Sequence, residues 1–243
     1  MAILLVIAFI LACVGVEYYR TRQRKRIVEK KPIVINPAYQ LKYDKVKIPQ
    51  GIYFGGSHAW AYLTEFGLSR VGLDDLLKHI IGKIDSIKSL KSDATIQRGG
   101  LLFEIIQNDK SLQIASPISG KIKNINQAII DNPQNALSLS YKDRWVYEID
   151  PQHWVEDINN LSIGRQASAW MKNEFARLKD FFTTLPENDC ETYCVPIMQE
   201  GGEVAENVLE YGDKKMWEQF QKGFLGRPFL DESTTDPILK KQQ

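Results

Sequence analysis

The segment Leu101-Leu-Phe-Glu-Ile-Ile-Gln-Asn-Asp-Lys110-Ser-Leu-Gln-Ile-Ala-Ser-Pro117-Ile-Ser-Gly120-Lys-Ile122 constrains the fold more than any other part of this 243-residue chain. Two alternating strands flank Asn108 and Asp109, residues that tolerate positive φ, so the pattern predicts a β-hairpin with Lys110 at or beside its tip. A lysine at a hairpin tip is expected to be exposed. There a modifying enzyme reaches the amine and an attached arm swings freely, as a covalent group carrier requires. Lysines also occupy hairpin tips for solubility alone.

Short apolar runs broken by Gly, Asn, Asp and Pro extend this texture from Ile52 to Ile149. They predict strands at Ile52–Phe54, Trp60–Phe66, Leu68–Gly72, Gly82–Ile87, Leu101–Gln107, Ser111–Ala115, Gly120–Ile125 and Trp145–Ile149. Asp74–Ile81 reads as one short helix behind an acidic cap. Many short strands with a single helix predict a small antiparallel sandwich or barrel. After Pro151 the pattern turns helical. Ile163, Ala167, Trp170, Met171, Phe175, Leu178, Phe181 and Phe182 recur at steps of three and four, and Pro186 stops them. A second apolar stretch from Val204 to Leu225 is interrupted by Gly212 and predicts one or two shorter helices. Both stretches are expected to pack on the sandwich, with a partner interface as the alternative.

From Ala2 to Val16 every residue is apolar or glycine, and Arg20, Arg22, Arg24, Lys25 and Arg26 follow closely. This predicts a single transmembrane anchor. Because basic flanks stay on the cytoplasmic side, the domain is expected to face the cytoplasm from the inner membrane. A cleaved signal peptide is the rival, but its charge belongs before the apolar stretch. The expected organisation is an anchor at 1–19, a basic flank and linker at 20–50, a β domain at 51–154, a helical extension at 155–225 and a disordered tail at 226–243. A net charge of +1 argues against nucleic acid as a partner.

The hairpin followed by Ser116-Pro117-Ile118-Ser119-Gly120 resembles lipoyl and biotinyl carrier domains, and most of all the glycine cleavage system H proteins. Ser57-His58-Ala59-Trp60 looks like that family's early His-x-Trp, and Val71-Gly72-Leu73-Asp74-Asp75 like its strand-to-helix junction. Asn132-Pro133 and Trp145 resemble its Asn-Pro turn and last strand. The resemblance covers about His58 to Ile149. It implies a mainly β, barrel-sandwich hybrid fold, to which the N-terminal transmembrane helix and the C-terminal helices read from the residues above are additions foreign to that family. It further implies lipoate as cofactor, amide-linked to Lys110. Such a carrier accepts an aminomethyl group from the decarboxylating enzyme, presents it to a folate-dependent transferase and is reoxidised by a flavin dehydrogenase. The partners expected are glycine cleavage-type enzymes, as the resemblance implies, or, for an anchored variant, a membrane redox complex.

Two registers stay open at the hairpin. Lys110 lies seven steps before Pro117, one fewer than the family's pattern, so Lys110 can sit just past the tip with Asp109 at the modified position. Gln107 also stands where the family has an acidic residue. An anchor and helical extension suit a domain that stays in one place, because tethering concentrates it near a membrane complex. The alternative to a carrier is therefore an unmodified scaffold or interaction module. Membrane-fusion adaptors of efflux systems are a third reading, but no long helical hairpin interrupts Leu101 to Ile125.

No catalytic constellation emerges, so the chain reads as a non-enzyme. Cys190 and Cys194 lack the two-residue gap of thiol redox and zinc motifs, and His58, His79 and His153 have no metal spacing. His58 reads as fold-forming, Gly99-Gly100 as a turn, and the five tryptophans as core.

Overall fold

Alternating side chains and turn residues produce antiparallel pairing throughout the computed structural model, which describes residues 15–17, 40–185 and 204–226. Among them, β1 (Ala59–Leu63), β2 (Ser69–Leu73), β4 (Thr95–Ile96), β7 (Gly120–Ile125) and β8 (Tyr147–Pro151) form one sheet in the order β1-β2-β8-β7-β4. The strands β3 (Ser86–Ser89), β5 (Leu101–Gln107) and β6 (Lys110–Ala115) form a second sheet in the order β3-β5-β6. The chain is thus mainly β in this region, with two antiparallel sheets. The backbone of Gly120 explains part of the Pro-Ile-Ser-Gly sequence. A Cβ there would lie 2.3 Å from the Asp150 carbonyl oxygen, so only glycine lets β7 approach β8 this closely.

Helix α1 (Asp75–Ile81) links the sheets, and Asp74 caps it by accepting the Leu77 amide at 2.8 Å. Gly82 ends it at φ 73, and a Cβ at that point would collide with Glu210 and Asn207. Short helices α2 (Gln127–Asp131), α3 (Asn135–Ser138) and α4 (Trp154–Ile158) carry little apolar periodicity, as does the two-residue β4; none of the four was expected. Ile52–Phe54 makes only isolated bridges, Tyr53 with Ala61 and Phe54 with Ser162.

The apolar stripe after Pro151 becomes α5 (Arg165–Thr184), which buries Ala167, Met171, Phe175, Leu178 and Phe182. The second stretch becomes α6 (Val208–Tyr211), α7 (Lys214–Phe220) and a π-helical turn at Gln221–Leu225, with the break at Gly212. These side chains belong to the same core cluster as Trp60, Phe103, Ile122 and Tyr147. The extension therefore packs as core. The extension is tied to the segment before the sheets as well, since buried Leu41 donates its amide to the Val204 carbonyl at 2.9 Å.

No helix among the described residues is long and apolar enough to cross a membrane. The expected anchor at 1–19 lies outside the described residues except for the helical 15–17, and so do Cys13, Cys190, Cys194 and the tail beyond Gly226.

Candidate functional site

The β5–β6 hairpin closes with the two-residue loop Asn108-Asp109, because Gln107 pairs directly with Lys110. Asn108 takes φ 52 and donates its amide to an Asp85 carboxylate oxygen at 2.8 Å, which fixes the turn from outside. Lys110 is consequently the first residue of β6 and not the tip. Strand geometry then decides its direction. Side chains two apart share a face, so Lys110 continues the buried row of Leu112 and Ile114 while Ser111 faces solvent.

The expected exposed lysine is thereby corrected. Lys110 is only 7% exposed. Its Nζ donates to the backbone carbonyls of Glu210 at 3.2 Å and Gly212 at 2.9 Å, and lies 5.1 Å from the centre of the Trp217 ring. Burial pushes the amine below the ordinary lysine range, against the opposing pull of Asp109, Glu210, Asp213 and Asp85. The paired Gln107 is buried too and donates its amide nitrogen to the Lys83 carbonyl at 2.7 Å. Asn108 and Asp109, by contrast, are exposed.

The groups that enclose Lys110 could not be found from sequence. Two are backbone carbonyls, which leave no side-chain signature, and all lie about a hundred residues downstream. Trp217 and the break at Gly212 were legible only as an apolar stretch and its interruption.

His58 forms the second polar cluster. It is fully buried at φ 54, with Nδ1 2.7 Å from Asp74 and Nε2 3.5 Å from Glu174, which Arg177 also pairs. Its ring stacks on Phe224 at 5.1 Å and tilts against Trp170 at 5.6 Å. Burial works against the charged imidazole, but the charges and hydrogen bonds of Asp74 and Glu174 outweigh it and raise the pKa to about 9. His58 is thus an imidazolium that joins the helix cap of the β domain to α5. A folded-state pKa above the free value of 6.5 stabilises the fold fully below that value. That contribution is lost as pH rises through about 9. Urea unfolding midpoints should therefore fall across this interval, and a midpoint that climbs would contradict the pairing.

Arg144 and Asp75, each 1% exposed on its side chain, pair at 2.9 Å beside this cluster. Elsewhere, a cleft of about 680 Å³ is walled by Pro49, Ile52, Trp60, Tyr62, Phe66 and Tyr141 among others, and Phe66 is 83% exposed at its edge. Lys110 is not part of that wall. Among the described residues, no cluster of three or more His, Cys, Asp or Glu side chains could hold a metal ion.

Comparison with known proteins adds a family to this geometry. The family model described as "Glycine cleavage H-protein" matches residues 52–174. A probable glycine cleavage system H protein of Pyrococcus furiosus is 21% identical over 132 residues, covering 54% of this chain and 98% of that protein. The glycine cleavage system H protein of Hydrogenovibrio crunogenus is 25% identical over 114 residues, covering 47% and 88%. A crystal structure of a glycine cleavage system H protein from Mycobacterium marinum aligns at 20% identity with a TM-score of 0.45, over 51% of this chain and 98% of that one.

Proposed function

We propose, because this chain belongs to the glycine cleavage H-protein family, that its H-protein domain works as a fixed docking module within a larger assembly. The family supplies the frame. Its members are carriers and not catalysts, they carry lipoate as the sequence led one to expect, and they meet the enzymes of glycine cleavage.

The hairpin of this chain does not fit that group as it is folded. A lipoyl amide at Lys110 would remove the charge and leave one N–H where two carbonyls and an aromatic ring now surround an ammonium. The arm would also have to leave through α6 and α7. What supports the docking reading is therefore the enclosure of Lys110 by the chain's own extension, whose helices share one core with the sheets. A larger body closed over its hairpin is suited to staying in place. Residues 1–19, apolar from Ala2 to Val16 and followed by a basic flank, are proposed to hold it at the cytoplasmic face of a membrane. Its partners are then proteins of a membrane-associated assembly, glycine cleavage-type enzymes or a redox complex.

Family membership favours a second reading, in which the domain is a working carrier with lipoate on Lys110. The mass of the chain isolated from its own host separates the two. An unmodified chain supports docking, and a lipoyl group on Lys110 overturns it.

A further inference from the structure

The geometry points to Asp109, and not Lys110, as the residue at the hairpin's attachment position, with Lys110 serving as a clasp that fastens the C-terminal extension over the hairpin. This inference rests on the docking reading above and adds the register that explains it.

An attached arm needs a side chain that leaves the hairpin into solvent at the turn. The pairing of Gln107 with Lys110 leaves two candidates, Asn108 and Asp109. Asn108 takes the positive-φ position and its amide is tied to Asp85, so it shapes the turn. Asp109 is the exposed residue directly before β6. Its carboxylate cannot form the amide that a lysine amine forms. Lys110 follows one step later, and one step along a strand reverses the face of a side chain. The amine is turned into the buried layer, where it bridges the end of α6 to the residue before Asp213, the cap of α7.

The clasp meets the extension at the break between α6 and α7. Gly212 brings its carbonyl to 2.9 Å from Nζ, and a Cβ on it would press into Met216 at 2.4 Å. Glycine, lysine and the ring of Trp217 therefore form one fitted contact between hairpin and extension.

The test uses the full chain with a lipoate–protein ligase, lipoate and ATP, read by intact mass and peptide mapping. The lysine amine attacks the lipoyl adenylate, the new amide forms, and AMP and a proton leave. The wild-type chain should remain unmodified while Asp109→Lys gains one lipoyl group at residue 109. Addition to Lys110 of the wild type would overturn both the clasp and the docking reading. Failure of Asp109→Lys to be loaded, with an authentic H protein loaded alongside, would overturn the register alone. A second readout needs no variant. Lys110 should react with an amine-modifying reagent about tenfold or more slowly than Lys83, which is 61% exposed on its side chain, since a buried amine reacts only through opening. Equal rates would overturn the clasp.

Discussion

Phe220→Ala lowers the free energy of unfolding by about 3–5 kcal/mol, the range for emptying a buried aromatic site. Phe220 is fully buried in α7, with ring centres of Phe224, Phe181 and Phe182 at 4.9, 5.6 and 6.1 Å. These four rings join α5 to the end of the extension, so no neighbour is free to collapse into the space without breaking another contact. Because the rings belong to the core cluster that includes the sheets, the loss should appear in one unfolding transition of the whole protein. Urea unfolding followed by tryptophan fluorescence and by far-ultraviolet circular dichroism checks both points. A loss below about 1 kcal/mol, or an extension that melts separately, would show that the helices merely rest on the sheets.

Asp75→Ala should cost a similar amount, about 3–5 kcal/mol, by a different cause. The Asp75 carboxylate accepts from Arg144 Nη1 at 2.9 Å and from the Lys47 amide at 2.9 Å. Arg144 lies 3.8 Å from the centre of the Tyr141 ring, and its Nε and Nη2 already lack hydrogen-bond partners. Removing the carboxylate leaves a buried guanidinium without its counter-charge. Although burial opposes its ionisation, hydrogen bonds from His79 and Lys47 and the Arg144 charge hold the Asp75 carboxyl well below the usual carboxylate range. The double variant Asp75→Ala/Arg144→Met should recover much of the loss, because the stranded charge goes with it. Equal instability of single and double variants would mean that shape, and not charge, sets the cost.

The features legible in the sequence are those that short-range chemistry specifies. Alternation around Asn108-Asp109 located β5 and β6, and the β7 span was read to the residue. Asp74 announced the start of α1 because a capping carboxylate must precede the helix it caps. The α5 stripe was visible because its buried positions repeat at helical spacing. The elements missed, α2, α3, α4 and β4 among them, are short, and their conformation follows from tertiary packing and not from periodicity.

At the hairpin two registers stay open in the sequence, and one residue separates a lysine that swings in solvent from one that points into a layer. Choosing between them requires the face that β6 presents to the sheet beneath it and the carbonyls of Glu210 and Gly212. Neither is a local property. His58 illustrates the same limit from the other side. Its place before Trp60 marked it as fold-forming, but its charge rests first on Asp74 and then on Glu174, which lies more than a hundred positions away.

Intact mass spectrometry of the full-length chain purified from its own host, with peptide mapping across residues 101–122, bears most directly on the role of the hairpin. The lipoyl proteins of the same cells provide the positive control. A free amine on Lys110 and no added mass, in cells whose other lipoyl proteins are fully loaded, is the predicted result. One lipoyl group on Lys110 would contradict it and make this domain a working carrier.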